Sequence, residues 1–425
     1  MQRVNLKKIR TAYGIDEYRL SNGLRLLYKY ELAAPVVAVC VTFHVGSRNE
    51  REGHTGSTHI LEHLLFKDSK KFNRQNGKAI TDYLEWFGAY INATTWLDRT
   101  NYFELLPKER LAEALELEAD RMRDSLFSDA DLASEMTVVR NEYERSRNNP
   151  FELLDEELMA RAYVKHPYRI PTIGTKEDIE ASTAKKLREF YDTFYWPNNA
   201  TLSVFGDVPF LQMQKLVLKY FAPIPASRKP IPQMKTKESA QRQRRSLVLR
   251  KKGGVSIAQL IYKIPEGTHK DIPALLALST VLAGGFSSRL EKALVDTGMA
   301  AGVSAAMPPL HDPGVLSFTA HAADGTKPQQ VLALMRKEIA ALKRVPVTTE
   351  ELARTKERLL SEAAYQRDGV FDEIRAVSES LAAGDWALGY RVEAAVKKLA
   401  PKDVARVAKK YLIPAGETSG VLVGN

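Results

Sequence analysis

A single cysteine, Cys40, excludes any disulfide within the chain. It sits in the apolar run VVAVCVTF, which reads as a buried strand and not as the setting of a nucleophile. Long apolar runs are missing as well. Nothing approaches the roughly 18 consecutive apolar residues that suggest a bilayer span, so no membrane segment is expected. The opening residues, MQRVNLKKIRTAYG, carry basic groups with no apolar stretch behind them, which is not the pattern of a secretory leader. The chain as it stands is expected in the cytoplasm, or in the periplasm if a leader has been removed. Acids are in deficit, with 52 Asp and Glu against 62 Lys and Arg, for a net charge of +10. That excess is local. Between Arg228 and Lys252 stand ten Lys or Arg and one acid, Glu238. With Pro230 and Pro232 among them, these charges read as an exposed basic linker over residues 226–252. No aromatics interleave with the charges and no nucleic-acid motif surrounds them, so nucleic acid is not an expected partner.

What the chain does have is length and internal repetition. Its 425 residues are too many for one compact core, and 44% hydrophobic content fits globular domains. The first half contains LFSDADLASEMTVVRNEYERSRNNPFEL and the second PVTTEELARTKERLLSEAAYQRDGVFDE. Each reads as a helix opened by a Ser or Thr cap followed by acids. The halves also close alike, on YWPNNATLSVFGDV near residue 200 and YLIPAGETSGVLVGN at the end. Glu142 aligns with Glu362, Pro197 with Pro414 and Gly206 with Gly424, at an almost constant offset. A near-constant offset over so many positions indicates duplication of a whole domain and not a solenoid of short repeats. Two homologous domains are therefore expected, at 1–225 and 253–425.

Each half mixes element types. Ser21-Asn22-Gly23 between YRL and LRLLYKY signals a hairpin. VVAVCVTFHV is apolar enough for a central strand, and helices are expected at 57–66, 78–87 and 111–124. The fold class is α+β, each domain a largely antiparallel sheet packed with helices.

The chemistry is confined to the first half. His59-Ile60-Leu61-Glu62-His63 puts two imidazoles one helical turn apart on the same side, where both can grip one zinc ion. Glu62 lies beside them, able to take a proton from water at the metal. This is the reverse order of the better-known zincin motif. The matching stretch in the second half is TVLAG, with no ligands. A catalytic zinc site needs a third protein ligand and keeps one position for water. Glu135 and Glu142 share one face of a helix, two turns apart, while Glu144 is turned away. Spacing does not choose between Glu135 and Glu142.

With these elements together, the chain resembles the insulinase/pitrilysin family of peptidases, which includes the β subunit of mitochondrial processing peptidase. The similarity runs essentially end to end, through the HPY–IG stretch at 166–174, YWPNNATLSVFGDV, and GGFSSRL at 284–290. The resemblance makes Glu142 the third ligand and Glu135 a supporting carboxylate. It implies one zinc per chain and hydrolysis of peptide bonds with Glu62 as general base. It also implies that the chain is half of a clam-shell enzyme that encloses unfolded peptides of limited length. The segment AYINATTWLDRTNYF reads as two strands with a turn at Asp98. In the family the matching Asn-Ala-Thr strand is an edge that takes substrate as an added strand, which names Asn92, Ala93 and Thr94. Phe66, one turn beyond His63, reads either as cleft lining or as core.

Two further expectations follow from the resemblance. Many members carry an Arg and a Tyr in the second half that reach substrate. Here Arg289 is kept, but the tyrosine position holds Ala301. That fits a heterodimer in which a related subunit brings the Arg/Tyr pair, as in mitochondrial processing peptidase and two-subunit bacterial peptidases, with a homodimer as the alternative. The same fold also serves as a non-catalytic structural or recognition subunit. Such subunits usually lack part of the zinc motif, whereas this chain has all of it.

Overall fold

The computed structural model describes residues 6–424. They form two compact units that interleave along the chain, one of residues 6–143, 170–235 and 366–382, the other of 144–169, 236–365 and 383–424. Each unit therefore takes in a helical stretch from the opposite half of the sequence. That exchange is invisible to a reading that cuts the chain at one linker.

The first unit is built on a seven-stranded sheet in the order β1-β2-β3-β7-β4-β6-β5. Its strands are β1 (Lys7–Ala12), β2 (Ile15–Arg19), β3 (Arg25–Tyr30), β4 (Val36–Phe43), β5 (Tyr90–Thr95), β6 (Thr100–Pro107) and β7 (Ala200–Gly206). All neighbours are antiparallel except β3 and β7. Strand β4 is central and holds the buried Cys40, as its apolar run implies, and β2 and β3 form the hairpin around Asn22-Gly23. Helices α1 (Ser57–Leu64), α2 (Ile80–Glu85), α3 (Leu111–Arg123), α4 (Asp129–Asn148), α6 (Lys176–Glu180), α7 (Ala184–Phe194), α8 (Phe210–Phe221) and α12 (Val370–Ala382) lie wholly or mainly in this unit. Its core joins Val39, Val41 and Phe43 of β4 to Tyr102, Leu115, Leu202 and Met213.

The second unit repeats the plan. Its sheet runs β10-β11-β9-β12-β8, with β8 (Arg245–Lys251), β9 (Ile257–Lys263), β10 (Ala300–Ala306), β11 (Val315–Ala322) and β12 (Glu417–Gly424). Only the β12–β8 pair is parallel. Strand for strand this is β5-β6-β4-β7-β3 of the first sheet, so the duplication read from the offset holds in topology. The helices are α5 (Pro150–Ala162), α9 (Ile272–Ala283), α10 (Pro328–Ala341), α11 (Thr349–Tyr365), α13 (Leu388–Lys397) and α14 (Pro401–Tyr411). The paired caps are present: Ser128 Oγ accepts from the Asp131 N–H at 3.0 Å, and Thr348 Oγ1 from the Glu351 N–H at 3.1 Å. Gly206 and Gly424 close their strands for one reason. A Cβ would lie 2.3 Å from Val36 O at the first and against Gly254 O at the second, so only glycine lets the chains pass.

One expectation is corrected. The basic stretch 226–252 is not linker throughout, because its last part is β8. Arg245, Leu247, Leu249 and Lys251 alternate with more exposed neighbours, and the strand packs against α5. Period-two alternation marks a strand, and the dense charge around it hid that pattern.

Candidate functional site

Helix α1 is held at both ends of its chemistry by packing. Leu61 enters the sheet core, while Ile60 and Leu64 join Leu132, Met136 and Val139 of α4 and Leu187 of α7. Burying side chains of this size stabilises by roughly 1.5–3 kcal/mol each, which fixes α1 against α4 with little room to rotate. His59 and His63 then share the remaining side of α1, their rings 4.8 Å apart and nearly perpendicular.

The N-terminus of α1 has no side-chain cap of its own; Gly56 precedes it with φ +85°. Glu50 does that work from a distance in sequence. One of its oxygens accepts the Gly56 N–H at 2.9 Å, the other the Thr58 N–H and hydroxyl at 2.7 Å each. Burial pushes the Glu50 carboxyl up to about 8, against the lowering effect of these bonds. Gly56 also meets the Ile173-Gly174 turn. A Cβ on Gly56 would sit 2.4 Å from Ile173 O, and one on Gly174 2.6 Å from Gly56 N. Beside it, Asp178 accepts from the Thr55 N–H and hydroxyl at 3.0 and 2.7 Å. The Ile-Gly pair noted at 173–174 thus earns its place as a close crossing under the start of α1.

Three ligand-type atoms converge. His59 Nε2 and His63 Nε2 are 3.4 Å apart, and each is 3.5 Å from Glu142 Oε2. Tetrahedral coordination at about 2.0–2.2 Å separates ligand atoms by roughly 3.3–3.6 Å, so this triangle has the size of one face of a zinc tetrahedron. Among the described residues, His59, His63 and Glu142 are the group of this kind that could hold a metal ion. Burial, with His63 beside it, lowers the His59 pKa to about 4, which keeps that imidazole neutral and its lone pair free at neutral pH.

Glu135 takes the other side of the same ring. Its Oε2 lies 2.9 Å from His63 Nδ1 and its Oε1 2.5 Å from Lys67 Nζ. Burial would raise its pKa, but the Lys67 and His63 contacts overcome this and hold it below the ordinary carboxylate value. Where spacing left Glu135 and Glu142 alike, the geometry separates them: Glu142 meets both Nε2 atoms and Glu135 meets one Nδ1. Glu62 is pushed the other way. Burial raises its pKa, partly offset by Thr95, His63 and Arg99, and its Oε2 is buried without a hydrogen bond.

Asn92, Ala93 and Thr94 lie on β5, the sheet edge, which among the described residues pairs with β6 alone. The Ala93 N–H donates to the Asn92 side chain at 2.8 Å, and Arg99 Nη1 donates to Thr94 O and Oγ1 at 2.8 Å each. Arg99 is itself paired with Glu379 of α12. Phe66 is half-buried against the core, near Tyr102 and the Arg121 guanidinium.

Arg289 belongs to the second unit and is engaged there. It makes a two-pronged contact with Glu351 at 3.0 and 2.8 Å and donates to Val345 O and Pro346 O. Its guanidinium pins the start of α11. Ala301 is exposed on β10. Sequence reasoning missed Glu50, Lys67 and Arg99. Lys67 could have been found, being one turn beyond His63, whereas Glu50 reaches α1 through a loop that leaves no periodic signal. None of the described helices is long and apolar enough to cross a membrane.

Comparison with known proteins places these features in company. Residues 25–176 match a family profile described as insulinase (peptidase family M16), and residues 181–359 one described as the peptidase M16 inactive domain. The chain is 34% identical over 350 residues to a zinc protease, PqqE, of Helicobacter pylori, covering 80% of this chain and 77% of that protein. The crystal structure of a protease from Helicobacter pylori superimposes with a TM-score of 0.91 at 29% identity, covering 99% of this chain and 100% of the other. The periplasmic protease PqqL of Escherichia coli shares the fold, with a TM-score of 0.79 at 20% identity over 98% of this chain but 48% of that one.

Proposed function

The chain belongs to the insulinase family, peptidase family M16, and from that premise we propose that it is a zinc endopeptidase acting on unfolded peptides of limited length. The observation that carries the reading is the triangle of His59 Nε2, His63 Nε2 and Glu142 Oε2 with Glu62 beside it. In this reading those three residues hold zinc through the inverted motif. Zinc, when bound, supplies a Lewis acid that polarises the scissile carbonyl and brings the pKa of water toward neutrality. Glu62 takes the water proton on its unpaired oxygen and later hands it to the leaving amine, a role that its raised pKa favours. Glu135 orients the His63 ring and keeps its proton on Nδ1, which leaves Nε2 free to bind. The edge of β5 at Asn92, Ala93 and Thr94 receives the peptide as an added strand, with main-chain pairing that asks little of its sequence.

The test is metal analysis with cleavage of a quenched peptide. About one zinc per chain and zinc-dependent cleavage are expected; a metal-free chain that stays inactive when zinc is supplied would support the non-catalytic subunit instead. The engaged Arg289 and the bare Ala301 further support a related partner subunit that brings an Arg/Tyr pair.

A further inference from the structure

The two sheets differ at one edge. In the first unit β3 is flanked on its outer side by β2 and β1. In the second, the equivalent strand β8 pairs with β12 on one side, and among the described residues no strand pairs with the other. An unpaired edge presents a row of N–H and C=O groups ready to take another strand. Ser246, Val248 and Arg250 are exposed along it.

At the start of β8 a cavity of about 610 Å³ opens, lined by Arg161, Arg169, Gln243, Arg244, Arg245 and Ser246, among others. No acid lines it. Arg245 donates to Arg161 O and Ala162 O at the end of α5, and Arg244 meets Glu417 at 2.9 Å. The Arg161 guanidinium has no hydrogen bond or ion pair among the described residues, nor do those of Arg242 and Arg250, and Arg169 makes only a long contact of 3.4 Å with Val164 O.

We propose that the second unit carries a docking site for an extended acidic polypeptide, which adds as a strand to the free edge of β8 while its carboxylates seat on Arg161, Arg169 and Arg244. Guanidinium groups bind carboxylates two-pronged, and the unpaired edge supplies the main-chain half of the recognition. Like charge along this edge disfavours a second copy of the same strand. Single-stranded nucleic acid fits less well, because the one aromatic in the lining, Tyr163, is buried and offers no stacking face.

The experiment uses the full chain carrying Glu62→Gln, so that a probe is not consumed. A fluorescein-labelled ten-residue peptide alternating Glu and Val is titrated by anisotropy. Competitors are its Gln counterpart, a copy N-methylated at alternate residues, tripolyphosphate and a short DNA duplex. Binding should weaken by about tenfold or more with the Gln peptide, with N-methylation, and in Arg161→Ala/Arg169→Ala. Arg161→Glu/Arg169→Glu should bind a Lys/Val peptide instead, which separates charge recognition from misfolding. Unchanged peptide affinity in both double variants, indifference to N-methylation, or equal binding of duplex or tripolyphosphate would each overturn the proposal.

Discussion

Glu135 and Glu142, two turns apart on α4, address different nitrogens of His63: Glu135 Oε2 lies 2.9 Å from Nδ1 and Glu142 Oε2 3.5 Å from Nε2. One carboxylate can therefore set the tautomer while the other shares a ligand position. The hydrophobic contact of α1 with α4 holds both at once.

Glu135→Gln should keep the fold and bind zinc more weakly, by about 10–100-fold, because a carboxylate partner raises the basicity of the imidazole. Competition with a chelator measures this. Glu142→Gln should lose far more under the proposal that Glu142 is the third ligand. The reverse ranking would exchange the two roles.

Glu62→Gln should retain zinc and lose cleavage by about 10²–10⁴-fold, since it removes a proton acceptor and no ligand. Zinc content and turnover of a quenched peptide, measured on one preparation, separate the two effects. Loss of zinc in this variant would make Glu62 part of the metal's hold.

Gly56→Ala should destabilise more than Gly53→Ala. Both glycines have positive φ, but a Cβ at Gly53 meets nothing within 4 Å, whereas at Gly56 it strikes Ile173 O at 2.4 Å. Backbone strain alone costs about 1–2 kcal/mol; the clash adds to it and shifts the start of α1. Thermal melts without metal and zinc affinity should both fall at Gly56. Equal effects at the two positions would remove the close crossing from the account of α1.

Lys263→Met should stabilise the protein at neutral pH. The ammonium is disfavoured in the fold, its pKa lowered to about 6 chiefly by burial, while in the unfolded chain it titrates near 10.5. Between these values the unfolded chain holds one more proton, so wild-type stability rises with pH in that window. The advantage of Lys263→Met should grow as pH falls from about 10 to about 6 and then level off. Denaturant midpoints across this range give the test, and a pH-independent difference would contradict it.

Ala301→Tyr tests the partner. If a related subunit normally supplies a phenol, the isolated wild-type chain should be slow, and adding that subunit should raise its rate by about a hundredfold, the usual worth of one oxyanion donor. Ala301→Tyr should recover part of this in the chain alone, measured as kcat. Full activity of the isolated wild-type chain, unchanged by either addition, would sink the heterodimer.

Much of this protein could be read before any coordinates. The spacing of His59 and His63 put both imidazoles on one side of a helix, and the constant offset between halves foretold two sheets of one strand order. Those properties are local or periodic, and periodicity survives in sequence. What sequence left open depended on contacts between distant segments. Spacing placed Glu135 and Glu142 on one face and could not say which met Nε2, because that is set by how Ile60 and Leu64 pack on Leu132, Met136 and Val139. Charge density hid β8, whose alternation matters only once α5 lies on it. Arg289 kept its family position, yet Glu351 and two carbonyls take up its donors. Residue type and periodicity determine what a segment can become; which nitrogen, edge or carboxylate it finally meets is decided by tertiary packing, since those choices are made between residues the chain itself keeps far apart.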